Sequence, residues 1–396
     1  MKSVQNTPAP EVGLITLHLG TNFGSALQTF ATWVSVKKAG AECTLIDYQY
    51  PTRYHLMHSR RGLCRWKRVF FACGLSMTNV LLSVKQLLNG TYFPLKRQRR
   101  AFRRFLAMIP KTKPVDRKSI LTDCPPFDIY LTGSDQCWNP KYMYHDLSML
   151  LNFAPDSARK ISYSASFGST QIEEEYREEY STLLKRYDKI SVREDSGREV
   201  VRDLTGRTDA EFVLDPTFLL DRAEWCRYAP AEPHPAASRR KFILCYILGY
   251  VFQPYPQINE MLTKISKMTG MPLVFLGKHS YDGPEEHLTI PDAGPLDFVR
   301  LMRDASFVVT TSFHGTAFAI NFQKDFISVL NPNLSRDNRV VHILRQAGLE
   351  NRGITLGENV ERFRGLLKTD HEKSREKIGV LREKSLRFLF DALKMQ

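Results

Sequence analysis

The sequence predicts an α/β protein built from two β-α domains that face each other across a cleft. Three observations predict it. Short apolar runs alternate with helically spaced segments along most of the 396 residues, which is the rhythm of parallel α/β folds. A stretch from Ala229 to Arg240 with prolines at 230, 233 and 235 divides that rhythm into two series. Polar and glycine-bearing turns gather where strands end, the edge at which open α/β sheets bind ligands.

Composition narrows the class. A chain of this length exceeds the usual single core, and 43% apolar with 25% charged residues is a globular balance. No apolar run reaches membrane-span length, and Met1 to Pro10 lacks the apolar centre of a signal peptide. The seven cysteines form no C-x-x-C pair, which argues against a metal cluster or disulfide framework and suits a reducing cytoplasm. The net charge of +14 is concentrated. Between Arg53 and Lys118, 17 lysines and arginines face one acid, Asp116, giving +16 and leaving −2 for the remainder.

Glu11 to His18 reads as the first strand. A Gly/Asn turn over Leu19-Gly20-Thr21-Asn22-Phe23-Gly24 leads to a helix from Ser25 to Lys38, closed by Gly40. Ala41 to Tyr48 is the second strand. The missing G-x-G-x-x-G argues against a nicotinamide site. The basic segment 53–118 interrupts the rhythm as a helical insertion, with Trp66 to Leu88 apolar and Lys96 to Arg104 strongly cationic. A face resting on anionic lipid at the inner membrane surface is one reading; a helical hairpin docked on the domain is the other. No nucleic-acid motif accompanies the charge, so nucleic acid is not an expected partner.

Further strands are expected at Asp128–Thr132, Lys160–Ser164, Lys189–Val192 and Val213–Thr217, with helices at Glu173–Arg186 and Ser196–Asp203. The second series places strands at Phe242–Leu248, Leu273–Leu276, Ser306–Thr310 and Phe326–Leu330. Its helices fall at Gln257–Met268, Pro295–Arg303, Thr316–Phe322 and Asp337–Ala347, and a charged helix over Thr369–Lys394 ends the chain. The expected division is 1–228, linker 229–240, 241–368, and a C-terminal helix within 369–396. His314 sits where the Phe307-Val308-Val309 strand gives way to a helix. That position faces the crevice, and helix-opening N–H groups favour anions there; a capping role without chemistry is the alternative.

Several motifs occur in order over about residues 11 to 330. They are Asn22-Phe23-Gly24 with Leu27-Gln28, Gly133-Ser134-Asp135-Gln136-x-Trp138, Ser164-Ala165-Ser166-Phe167-Gly168 and Ser191-Val192-Arg193-Glu194. Leu214-Asp215-Pro216-Thr217, Pro295-x-x-Phe298 and Thr311-Ser312-Phe313-His314-Gly315-Thr316-Ala317-Phe318 complete the set. The ordered set resembles the polysaccharide pyruvyl transferase family. The resemblance implies two Rossmann-like domains in a glycosyltransferase-B-like pair, serving polysaccharide or cell-envelope synthesis. It implies transfer of pyruvate from phosphoenolpyruvate, the donor substrate, to two hydroxyls of a sugar or lipid-linked acceptor as a cyclic ketal, with no cofactor. His314 and Arg193 take the catalytic positions. Asn22, Gly24, Ser134 and Asp135 fall on one side of the expected substrate site, and Ser312, Gly315 and Arg339 on the other. Some members carry arginine where this chain has Ser312, so a second donor-binding cation is expected from Arg339 or Arg336.

The chemistry fits these residue types. Phosphoenolpyruvate needs cations for its carboxylate and phosphate and a proton donor at its methylene. Histidine can serve as that acid or as a base, and an arginine fork suits the anions. No metal-ligand spacing is present, and none is needed. For Asp135 helix capping is the competing role, and for Arg193 a salt bridge to Glu194 or Asp195. Two other functions compete. A nucleotide-sugar glycosyltransferase would need an acid near the ribose, for which Glu285 and Glu286 are the candidates. A non-catalytic protein would dock on a membrane or acidic partner through 53–118.

Overall fold

Runs that are apolar on both faces become parallel strands, because sheets covered on both sides by helices bury every side chain. The computed structural model describes residues 8–50, 92–143, 145–235, 241–249, 252–333, 339–359, 365 and 367–394. In the first half β1 (Glu11–Ile15), β2 (Glu42–Leu45), β3 (Ile129–Thr132) and β4 (Arg159–Ser162) form a parallel sheet in the order β2-β1-β3-β4. Bridges from Ile161 to Lys189 and from Ala165 to Val192 join it to the short pair β5 (Ser191–Val192) and β6 (Glu211–Phe212).

The second half holds β7 (Ile243–Tyr246), β8 (Leu273–Leu276), β9 (His287–Ile290), β10 (Phe307–Thr310), β11 (Phe326–Leu330) and β12 (Gly353–Thr355). Its parallel order is β12-β11-β10-β7-β8-β9. Counted from β7, this is the doubly wound order of a Rossmann sheet. Strands β9 and β12 were not expected from the sequence. Both lie at sheet edges, and β9 exposes His287 and Leu288; without a continuous apolar run, neither carries the usual strand signal.

The longer helices are α1 (Phe23–Lys38), α2 (Tyr92–Leu106), α3 (Glu174–Lys185), α4 (Asp195–Thr205) and α5 (Gln257–Thr269), followed by α6 (Pro295–Asp304), α7 (Phe313–Asn321), α8 (Arg339–Ala347) and α9 (His371–Leu393). Two are buried almost all round: α1 over most of its length and α7 over every residue. Helices of that kind belong inside a molecule. They pack against each other, and one hydrophobic cluster runs through Leu14 and Leu131 of the first sheet to Leu244 and Val308 of the second.

The described part of the basic segment is a wedge between these halves. Helix α2 turns Phe102, Phe105 and Leu106 inward, and the Phe102 ring lies 5.1 Å from Phe23. It also packs on α6, and Arg97 Nε meets Asp292 Oδ2, in the turn before α6, at 2.6 Å. The expected apolar stretch Trp66–Leu88 lies outside the described residues. No described helix is long and apolar enough to cross a membrane.

Past α2, the proline-rich stretch is held as far as Pro235: the Arg300 and Arg303 side chains donate to the carbonyls of Pro230, Glu232 and Pro233. Helix α9 closes the molecule. The Leu214 N–H donates to Ser385 Oγ at 2.9 Å, while Arg382 donates to Phe218 O and to Asn321 Oδ1 on α7.

Candidate active site

Strand order reverses once in each sheet, between β1 and β3 in the first and between β7 and β10 in the second. Crevices open beyond the carboxyl ends of strands at such points. The loops and helix openings there carry Asn22 and Gly24 after β1, Ser134 and Asp135 after β3, and Ser312 and His314 after β10. Helix α7 starts at Phe313 rather than at the expected Thr316, so His314 lies within its first turn.

The two halves meet at Gly24. A β-carbon built there would fall 2.0 Å from His314 Nδ1, so only glycine lets the imidazole approach the opening of α1. The other ring nitrogen, Nε2, faces Asp215 Oδ2 at 3.6 Å, an ion-pair separation longer than a hydrogen bond, and His314 is 7% exposed. Asp215 is fully enclosed. Its Oδ1 accepts from the Thr217 N–H and hydroxyl, and its Oδ2 lies 3.1 Å from both Arg193 Nη1 and Ser134 Oγ.

Arg193 is the hub. Nε donates to Glu194 Oε1 at 3.1 Å, Nη1 to Asp215 and Nη2 to Asp135 Oδ1 at 3.3 Å, while its guanidinium lies 4.5 Å over the Phe313 ring. Arg339 Nη1 stands 3.6 Å from Asp135. Three carboxylates against two guanidiniums leave the cluster at −1 before the imidazole is counted. Burial alone would push the Asp215 carboxyl up. His314, Arg193 and the Thr217 N–H outweigh that and hold it well below the usual carboxylate range. Burial likewise opposes ionisation of Asp135, and Arg193, His314 and Arg339 reverse the effect. For Arg193 burial works against the charge, but Glu194, Asp135 and Asp215 raise its pKa further.

This geometry changes several expected placements. The Arg193 fork, expected to face a donor anion, is enclosed by acids, so its salt bridge is to Asp135 and Asp215 as well as to the neighbouring Glu194. Asp135 does not cap a helix. It adopts φ 69°, a left-handed conformation uncommon for aspartate that tertiary contacts must hold. Asn22 and Ser312 do cap: Asn22 Oδ1 accepts from the Ser25 N–H, and Ser312 Oγ accepts from the Gly315 N–H. Ser134 is fully buried and reaches the Ser164 carbonyl at 2.8 Å. Gly315 is required by packing, since a β-carbon there would lie 2.2 Å from Thr310 Oγ1. Arg336 lies outside the described residues. Glu285 and Glu286 precede β9, and the Glu286 carbonyl accepts from the Leu273 N–H at the start of β8. They therefore lie at the amino ends of the strands, opposite the crevice.

Asp215 and Glu194 were not singled out as site residues, although both stand in motifs that the sequence supplied. An acid followed by proline at a strand end reads as a turn. Its signal as a partner of His314 is the distant pairing, which a linear reading cannot provide.

Solved structures with this arrangement are known at low sequence identity. A candidate UDP-N-acetylglucosamine 2-epimerase from Listeria monocytogenes superposes with a TM-score of 0.56 at 12% identity, covering 94% of this chain and 91% of that one. UDP-GlcNAc 2-epimerase from Neisseria meningitidis, bound to UDP-GlcNAc, gives 0.52 at 10% identity over 96% and 99%. Two Rossmann-like domains in the glycosyltransferase-B-like arrangement are therefore the fold class. A search of curated proteins gives no sequence match. The family model for polysaccharide pyruvyl transferase matches residues 22–333, a span holding every candidate residue above except Arg336 and Arg339, and the chain belongs to that family. It is an enzyme of the transferase class.

Proposed function

We propose that the protein transfers pyruvate from phosphoenolpyruvate to two hydroxyls of a sugar, forming a cyclic ketal and releasing inorganic phosphate. The observation that carries the reading is the meeting of His314, backed by Asp215, with the Gly24 turn of the opposite domain. An imidazole held between an ionised carboxylate and the opening of a helix from the other domain suits proton transfer. In this scheme Asp215 orients the ring through Nε2, a separation that closes on substrate binding, and Nδ1 exchanges the proton.

The steps balance as follows. A proton from His314 adds to the donor's methylene, and one sugar hydroxyl adds to the resulting cationic carbon, returning its proton to the imidazole. Phosphate then leaves with its bond electrons, and the second hydroxyl closes the ketal as its proton passes to phosphate. Arg339, 24% exposed at its side chain and paired with Asp135, is the cation assigned to the donor's anions, with the opening of α7 adding dipolar support. Arg193 acts as a positioning residue, fixing Asp135 and Asp215.

The test is incubation of the enzyme with phosphoenolpyruvate and a panel of glycosides. Phosphate release matched one for one by a pyruvate ketal on the acceptor is expected, and His314→Gln abolishes it with the fold kept. Consumption of UDP-sugars with no phosphoenolpyruvate turnover would sink the reading.

A further inference from the structure

Beside the candidate site lies a second feature that the proton-transfer scheme does not use. A cavity of about 760 Å³ opens between the loop after β1 and one side of α2. Lys96, Arg99 and Arg103 line it from α2, spaced so that one helix face presents all three, and Lys111 joins them. Across from them stand His18 and Thr21 of the first turn, together with Asp47.

The positive charge of this cavity is not neutralised from within. Among the described residues Asp47 is its one acid, and that carboxylate is engaged by His18 Nε2 at 3.0 Å and by the Gln49 amide at 2.8 Å. On the same helix Arg97 pairs with Asp292. Among the described residues Lys96, Arg99 and Arg103 meet no carboxylate at ion-pair distance, and the basic segment around them contains a single acid, Asp116. Four cations around one concave space, three of them on a helix anchored in the core by Phe102, Phe105 and Leu106, form a preorganised anion site. The volume falls in the range of small-molecule sites and exceeds what one phosphate would fill.

Placement supplies the role. Thr21 lines the cavity, Asn22 caps α1, and Gly24 receives the His314 ring. An anion against Thr21 is thus three residues along the chain from Gly24, on which the reacting histidine packs. We infer that the cavity binds the diphosphate of a diphosphate-bearing acceptor sugar, whose ring then reaches the crevice at His314. The acceptor role rests on the pyruvyl transfer proposed above; the anion site itself does not.

The test is therefore a binding measurement without donor, on the full chain. Titration calorimetry with inorganic pyrophosphate should show saturable binding that weakens with salt. The Arg99→Ala/Arg103→Ala variant should lose at least about ten-fold in affinity, as expected when charge-assisted contacts are removed. The Arg100→Ala/Arg104→Ala variant carries the same charge change on exposed residues of α2 that do not line the cavity, and should bind as wild type does. No pyrophosphate binding, or equal losses in the two variants, would overturn the site. UDP-glucose and phosphatidylcholine vesicles carrying farnesyl diphosphate then separate a soluble from a lipid-borne ester. Whichever one shows the Arg99/Arg103 dependence is the source, and pyrophosphate binding with neither ester bound would overturn the acceptor assignment. Ketal formation is scored separately, so loss of one reading does not mask the other.

Discussion

A β-carbon at Gly24 would sit 2.0 Å from His314 Nδ1, so the smallest available substitution tests the geometry of the site. Gly24→Ala should favour helix α1 intrinsically, since alanine is the better helix former by about 1 kcal/mol. It must nevertheless displace the imidazole. Ketal formation is expected to fall on the order of 100-fold, the scale of a 1 Å misplacement, mainly in kcat, while the far-UV spectrum stays unchanged. Activity within about two-fold of wild type, well short of that scale, would show that His314 does not work from this position. Asp215 answers to pH. Its folded pKa is depressed, so its stabilising contribution is present above the unfolded value of about 3.9 and is lost as pH falls toward the folded value. Urea midpoints should therefore drop steeply below about pH 4, the unfolded carboxyl range, and more shallowly in Asp215→Asn, which starts from lower stability at neutral pH. Parallel acid limbs in the two proteins would contradict the depressed carboxyl.

At the scale of elements, the central strands and most helices were legible because their residues carry the period of their structure. The Phe326–Leu330 and Leu273–Leu276 strands are apolar throughout or nearly so, and each appears with the expected ends. Strands β9 and β12 were not legible, since edge strands need bury only part of their surface. The start of α7 was misplaced for a different reason. Phe313, His314 and Gly315 read as a turn by composition, whereas the Ser312 cap and the fit of Gly315 against Thr310 bring them into the helix. The basic segment shows the limit of charge counting. Its arginines mark a surface, but the Phe102, Phe105 and Leu106 face that docks α2 between the halves is visible only once α1 and α6 are in place. For the site, His314 stood out as a titratable group at a strand end. Arg193 was placed by the family resemblance and assigned to an anion, while the structure surrounds it with carboxylates that lie 22 and 58 residues away in the chain.

For the whole molecule, the question is whether two sheets make two folding units. Their boundary is not a wet interface. Phe23 at the opening of α1 stacks on Phe298 of α6 at 5.3 Å and lies 5.7 Å from Tyr246 of β7, while Phe298 also meets Phe318 of α7 at 5.1 Å. These rings belong to the same buried cluster as Leu14 and Leu131 of the first sheet, and α9 ties Leu214 and Asn321 together from outside. Burial of this kind couples the halves, because opening either one exposes aromatic surface on both. The tryptophans make this measurable. All four, at 33, 66, 138 and 225, precede the second β-α series, but Trp225 packs on Phe318 of α7 at 5.2 Å; in a background that keeps Trp138 alone, which packs on Phe167 and Tyr187, the fluorescence reports the first half. Phe298→Ala removes a ring from the second half and should cost about 3–5 kcal/mol, the usual penalty for a buried phenylalanine. If the molecule unfolds as one unit, the tryptophan midpoint in urea shifts down together with the far-UV midpoint, although no tryptophan lies in the half that was mutated. A fluorescence curve that stays at its wild-type midpoint while ellipticity is lost earlier would mean that the halves fold separately, and that the contact between Gly24 and His314 forms only when two independent domains close.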